Sequence, residues 1–211
     1  HNGLVKYAYS KKNMSVCEPG MQLNLVWKAR LNEHLGVFSI EKVRSRTSAL
    51  IRSKQNLLGF NSIISLLILS LPEREPFRKI YEATKNLLDA MENELLWLEN
   101  YVRWELLVLA ELGFGLDLTK CAVTGGDRNL IYVSPKTGRA VSASAGKAWE
   151  SKLIELPKFL TLSTDVIETD PLIIARGMKL TEFFLQKWLI SVLEKKSLPE
   201  ARRRFFVSLT H

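Results

Sequence analysis

A chain of 211 residues that is 46% hydrophobic and 25% charged has the length of one or two domains and the composition of an ordinary globular protein. Its two cysteines, Cys17 and Cys121, lie far apart, which argues against a disulfide framework and fits a reducing cytoplasm; the longest apolar run, 63–71, is interrupted by Ser65 and Ser70 and is too short to cross a bilayer. The formal charge of +8 is unevenly placed: ten basic and three acidic residues up to Lys54 give +7, leaving +1 for the rest, so a polyanion partner is expected on the first quarter of the chain.

In chain order, Gly3 to Ser10 reads as a strand, followed by a basic turn at Ser10-Lys11-Lys12-Asn13. Met21 to Arg30 and Val37 to Val43 alternate like half-buried strands, separated by Asn32-Glu33-His34. Three basic strands without an intervening helix predict a small antiparallel sheet or barrel. An OB-fold barrel has five strands, so an OB-fold here is incomplete. From Thr47 the apolar period becomes helical. Ser48 to Leu71 is one helix candidate with a break expected around Gly59, and the Pro72-to-Pro76 segment closes it. Phe77 to Met91 is a second, amphipathic helix.

The helix from Glu94 is the expected core. Leu95, Leu98, Val102, Leu106 and Leu109 form its stripe, and Leu96, Tyr101, Trp104 and Leu107 widen it. A helix apolar on most of its circumference is surrounded by other elements. Gly113 and Gly115 end it. A hairpin follows, with strands at Leu130–Val133 and Arg139–Ser142 around a Pro-Lys-Thr-Gly turn. Ala148 to Leu153 is a short helix. Asp170-Pro171 caps and starts the last long helix, which runs to about Glu194, and the tail from Leu198 to Leu209 carries Arg202, Arg203 and Arg204.

The core helix and hairpin resemble the RecO family of bacterial recombination mediators. The resemblance rests on Leu112-Gly113-Phe114, Asp117-Leu118, Cys121, Tyr132-Val133-Ser134-Pro135, Gly138 and Val141, in family order and spacing, and in part on Gly3-Leu4-Val5 and Ser10-Lys11-Lys12. It extends more weakly over the whole chain. It implies an α+β, mostly α, protein: a partial, DNA-binding OB-fold over 1–46, then an α-helical domain over 47–211 with a zinc-ribbon-like hairpin at about 115–146 that lacks its cysteines. It further implies a non-enzymatic DNA repair and recombination mediator, cytoplasmic and nucleoid-associated. Such a protein binds single- and double-stranded DNA, anneals strands, and with RecR assists loading of RecA onto DNA coated by single-stranded DNA-binding protein, whose acidic tail it contacts.

Many relatives in the family carry four zinc ligands on this hairpin. Here Cys121 stands at the first position, Thr124 at the second, Ser142 at the third and Ala145 at the fourth. Hydroxyls are poor zinc ligands and alanine is none. The expectation is therefore no metal and no cofactor, with the hairpin held by packing of Leu130, Tyr132, Val133 and Val141. Catalysis has no support either: no histidine neighbours a Ser or Cys nucleophile in sequence and no phosphate-cradling Gly-rich Lys motif occurs. Asp117 is expected to cap a turn, and Glu105 to pair with Arg103 or Lys120.

The candidate DNA contacts are Lys6, Lys11, Lys12, Lys28, Arg30, Arg44 and Arg46, since single strands are tracked through their phosphates. Tyr7, Tyr9, Trp27 and Phe38 lie among them, but the period of two sets Tyr7 and Tyr9 apart from Lys6, and Trp27 apart from Lys28, so the rings read first as core. Arg176, Lys179, Arg202 and Arg203, with Phe183 or Phe205 as an apolar floor, are candidates for an acidic peptide partner. Two other readings remain: an adaptor whose charge serves acidic proteins and not DNA, and a zinc-ribbon regulator, which the missing ligands disfavour.

Overall fold

In a computed structural model of the chain, residues 18–28, 37–72, 75–92, 97–161 and 167–210 are described. The chain divides into two compact units, 1–54 and 55–211. The architecture is a mostly helical α+β one with two small antiparallel sheets, and no closed barrel is present among the described residues.

In the first unit, β1 (Met21–Lys28) pairs with β2 (Val37–Ser45) in antiparallel register, from Met21 opposite Ser45 to Lys28 opposite Val37, with an irregularity between Gln22 and Leu23. A short helix, α1 (Thr47–Leu50), follows. Directly opposed residues share a face. Leu23, Leu25 and Trp27 therefore line up with Ile40 and Phe38, while Asn24, Val26 and Lys28 lie on the other side. The Trp27 and Phe38 rings sit 4.7 Å apart. The expected strand from Gly3 to Ser10 lies outside the described residues.

The second unit begins with α2 (Lys54–Ser70). The expected break at Gly59 is absent; the chain turns instead at 51–53, between α1 and α2. Gly59 answers a packing need: a Cβ there would stand 2.3 Å from the Trp97 ring. Next comes α3 (Arg78–Ala90), which buries Ile80, Leu87 and Leu88. The core helix α4 (Trp97–Glu111) buries Trp97, Leu98, Tyr101, Val102, Trp104, Val108 and Leu109. Gly113 follows it with φ +88°, a left-handed conformation that a side chain resists.

The hairpin is β3 (Leu130–Val133) and β4 (Ala140–Ser142), with the short β5 (Ile154–Glu155) on the far side of β3, giving the order β4-β3-β5. Between them run α5 (Ala143–Gly146) and a 3-10 turn at Lys147–Lys152, where the sequence predicts a short helix. The helix α6 (Pro171–Phe184) starts as predicted, with the Asp170 carboxylate accepting the Leu172 N–H at 2.8 Å. It passes into a π-helical turn at Leu185–Ile190 and is followed by α7 (Glu200–Thr210). Helices α4, α6 and α7 enclose the core, where Phe205 of α7 stacks on Trp97 at 5.4 Å and meets Tyr101 edge-on at 4.8 Å.

Candidate nucleic-acid and partner-binding surfaces

Of the seven candidate DNA contacts, Lys6, Lys11, Lys12 and Arg30 lie outside the described residues. Lys28 and Arg44 are exposed on β1 and β2. Arg46 is not a surface cation: it is 3% exposed, and its Nη2 donates to Gln22 Oε1 at 3.0 Å. A buried guanidinium needs a fixed acceptor, so Arg46 tethers the end of β2 to β1. Lys42, opposite Leu23, is a further exposed cation on this strand pair. In sequence it reads only as part of an alternating strand, although its charge counts in the local total.

The four candidate peptide contacts separate. Arg176 is exposed and pairs with Glu155 at 3.0 Å. Arg203 is exposed and forks onto Glu200 of the same helix, Nε to Oε2 at 2.8 Å. Lys179 lies over the Phe206 ring, 5.9 Å from its centroid. Such exposed pairs are weak and are easily exchanged for an external anion. Arg202, by contrast, is 2% exposed. Its Nε and Nη2 clasp the Glu105 carboxylate at 2.7 and 3.0 Å, Nη1 reaches Glu182 at 3.1 Å, and Nη2 donates to the Met178 carbonyl at 2.7 Å. It is a core residue and is removed from the partner surface.

The same network corrects the expected partners of Glu105: Arg103 pairs with Glu99 and donates to the Phe159 carbonyl, and Glu105 takes Arg202. Tyr101 donates to Glu105 at 2.9 Å and shares a 2.6 Å hydrogen bond with Ser62. Burial first, then the Glu105 charge, holds the Tyr101 phenol well above its ordinary range. Burial works against the Arg202 cation, but the Glu105 charge and hydrogen bonds outweigh it and raise its pKa. The apolar floor also changes. Phe205 is fully buried, whereas Phe183 is 38% exposed and carries Lys187 Nζ at 5.7 Å from its ring centroid. The surface is therefore made by exposed Arg176, Lys179, Phe183 and Arg203, with Phe206 half-buried.

The hairpin brings Cys121 and Ser142 together. The Ser142 N–H donates to Cys121 Sγ at 3.3 Å, and the Ser142 hydroxyl is 3.4 Å away. Burial pushes the thiol up, but hydrogen bonds from Ser142 and Thr124, through side chain and backbone, outweigh it and leave the thiol at about 6. No group of three or more His, Cys, Asp or Glu side chains able to hold a metal occurs among the described residues. One sulfur, two hydroxyls and the methyl group of Ala145 do not make a zinc site. Leu130, Val133 and Val141 are buried beneath the hairpin, with Tyr132 half-buried. Asp117 caps its turn as expected, accepting from the Thr119 hydroxyl at 2.7 Å and the Thr119 N–H at 3.2 Å. The three histidines lie outside the described residues. Among those described, no helix is long and apolar enough to cross a membrane.

The family model for the C-terminal part of recombination protein O matches residues 55–196. Over 204 residues the chain is 44% identical to a DNA repair protein RecO of Cereibacter sphaeroides, covering 97% of this chain and 84% of the relative. It is 41% identical over 209 residues to the DNA repair protein RecO of Ruegeria sp. (strain TM1040), covering 99% and 86%. With that of Paracoccus denitrificans (strain Pd 1222) it shares 43% over 208 residues, covering 99% and 83%.

Proposed function

The chain belongs to the RecO family of DNA repair proteins, which are non-enzymatic recombination mediators, and on that premise we propose that it binds single- and double-stranded DNA through its basic N-terminal strands and anneals complementary strands. The observation that carries this reading is the placement of charge, +7 of the total +8 up to Lys54, with Lys28, Lys42 and Arg44 exposed on one strand pair. The strands before residue 47 are read as part of an OB-fold, in which cations follow the phosphates of a single strand. Lys6, Lys11, Lys12 and Arg30 complete the set. Phosphates neutralised by these side chains release their counterions, and no bond is made or broken in the process.

The helical unit is read as the partner-binding half. Its exposed cations Arg176, Lys179 and Arg203, beside Phe183 and Phe206, suit an acidic peptide ending in apolar residues, the chemistry of the single-stranded DNA-binding protein tail. In this reading the protein docks on coated DNA through that tail, and with RecR helps RecA replace the coat; it acts in the bacterial cytoplasm. The same cations favour a second reading, an adaptor for acidic proteins that leaves DNA untouched. Annealing of two complementary oligonucleotides coated with single-stranded DNA-binding protein separates them. The proposed function predicts faster duplex formation in the presence of this protein. An unchanged rate together with retained binding to the coat protein favours the adaptor.

A further inference from the structure

The region 115–161 carries seven basic and four acidic side chains. Two of the acids are already engaged, Asp117 with Arg139 at 3.4 Å and Glu155 with Arg176 at 3.0 Å. Within this region the loop after Leu118, the segment 127–131 and the turn around Lys158 enclose an open trough of about 760 Å³. Lys120, Arg128 and Lys158 line it, with Asp127 as the one acid among the lining residues. Lys120 and Arg128 are exposed, and neither forms an ion pair with another described residue. Asn129, in its wall, holds a left-handed backbone at φ +53° while its carbonyl accepts the Ala143 N–H at 2.9 Å.

The trough floor is Leu118 and Leu130, packed to 9% and 6% exposure. An acidic or apolar peptide finds three cations and only one acid, Asp127, along the trough, and no exposed large apolar side chain among its lining residues. A flexible anionic chain needs spaced cations along an open channel, which Lys120, Arg128 and Lys158 supply. Resting on the reading that this protein binds DNA, we infer that the trough is a second nucleic-acid contact, separate from the basic strands before residue 47, which takes the phosphodiester backbone of a single strand on Lys120, Arg128 and Lys158. Each compact unit then carries its own strand-binding surface. Two surfaces on two units let one protein hold two strands at once, which favours their annealing.

The test uses the full chain and a fluorescent oligo(dT), with anisotropy measured across a salt series. Three double variants are compared: Lys120→Ala with Arg128→Ala in the trough, Lys28→Ala with Arg44→Ala on the strands, and Lys195→Ala with Lys196→Ala as a control of equal charge. Loss of two single-strand phosphate contacts should lower the log-log salt slope by about 1.4 for the trough variant, and its annealing rate should fall. The control should leave both unchanged, and Lys120→Glu with Arg128→Glu should deepen the trough effect. A trough variant with unchanged slope and annealing, while the strand variant loses slope, overturns this inference and leaves the DNA reading standing. Unchanged slopes in both overturn the DNA reading as well. Equal losses in trough and control variants, or loss of acidic-peptide binding with DNA binding intact, also sink it.

Discussion

Arg202 and Glu105, 97 positions apart, form a two-pronged ion pair at 2.7 and 3.0 Å with both side chains almost wholly buried. The pair joins α7 to α4, and the Met178 carbonyl and Thr181 hydroxyl bring in α6. Removing one partner of such a pair leaves an uncompensated buried charge. Arg202→Ala or Glu105→Ala should therefore cost about 3–5 kcal/mol of unfolding free energy. The joint change Arg202→Met with Glu105→Leu should cost clearly less than the sum of the singles, because it leaves no orphaned charge. Urea unfolding of the four proteins checks this; additive single losses would show that the two groups do not depend on each other.

Cys121 makes a pH prediction. Its thiol is held at about 6, below the ordinary 9.0, so the folded state loses this proton before the unfolded state does. A depressed acid stabilises the fold above its unfolded pKa and loses that contribution as pH falls through the folded one. Stability should therefore rise between pH 6 and pH 9 by at most about 1.4 kcal/mol per pH unit from this group, and Cys121→Ser should flatten that rise. At pH 7 the substitution should cost about 1–2 kcal/mol and leave DNA binding intact. Parallel pH profiles for the two proteins would assign the slope elsewhere.

Folding of the helical unit should not depend on metal. Thr124, Ser142 and Ala145 offer no thiolate to join Cys121, so no metal-binding energy is coupled to folding. The melting temperature should be the same with and without EDTA. A fall of several degrees, or one zinc per chain by elemental analysis, would contradict this.

The peptide surface predicts a selective loss. Arg176→Ala, Lys179→Ala and Arg203→Ala together should weaken binding of an acidic C-terminal peptide while leaving oligonucleotide binding and helix content near wild type. Arg202 is left in place because its removal would damage the core and confuse the readout. Equal losses for peptide and DNA would show one shared anionic site.

What was legible in the sequence was local. Asp170-Pro171 announced the start of α6, and Gly113 the end of α4, because a cap and a left-handed glycine act within a few residues. Leu130–Val133 was readable as a strand for the same reason. The apolar content of the core helix carried it, since α4 buries residues on most of its faces. Contacts across long separations were not legible. The Arg202-Arg203-Arg204 run reads as three surface cations, and only the approach of α7 to Glu105 turns the first of them inward. Gly59 reads as a helix breaker until Trp97 is seen to press on it. The π-helical turn at Leu185–Ile190 keeps nearly helical apolar spacing and leaves no signal in composition. Arg46 likewise looks like one more basic residue in a basic segment until its burial against Gln22 is seen.

The central claim is that DNA binding is mainly electrostatic and has its principal surface on the basic N-terminal strands. Its most direct test is the salt dependence of single-strand binding by wild type and by the variant carrying Lys11→Ala, Lys12→Ala, Lys28→Ala and Arg30→Ala. Each phosphate contact contributes about 0.7 to the log-log slope, so the variant should show a slope lower by up to about 3, with little change in helix content. A folded variant with the wild-type slope and affinity would contradict the claim.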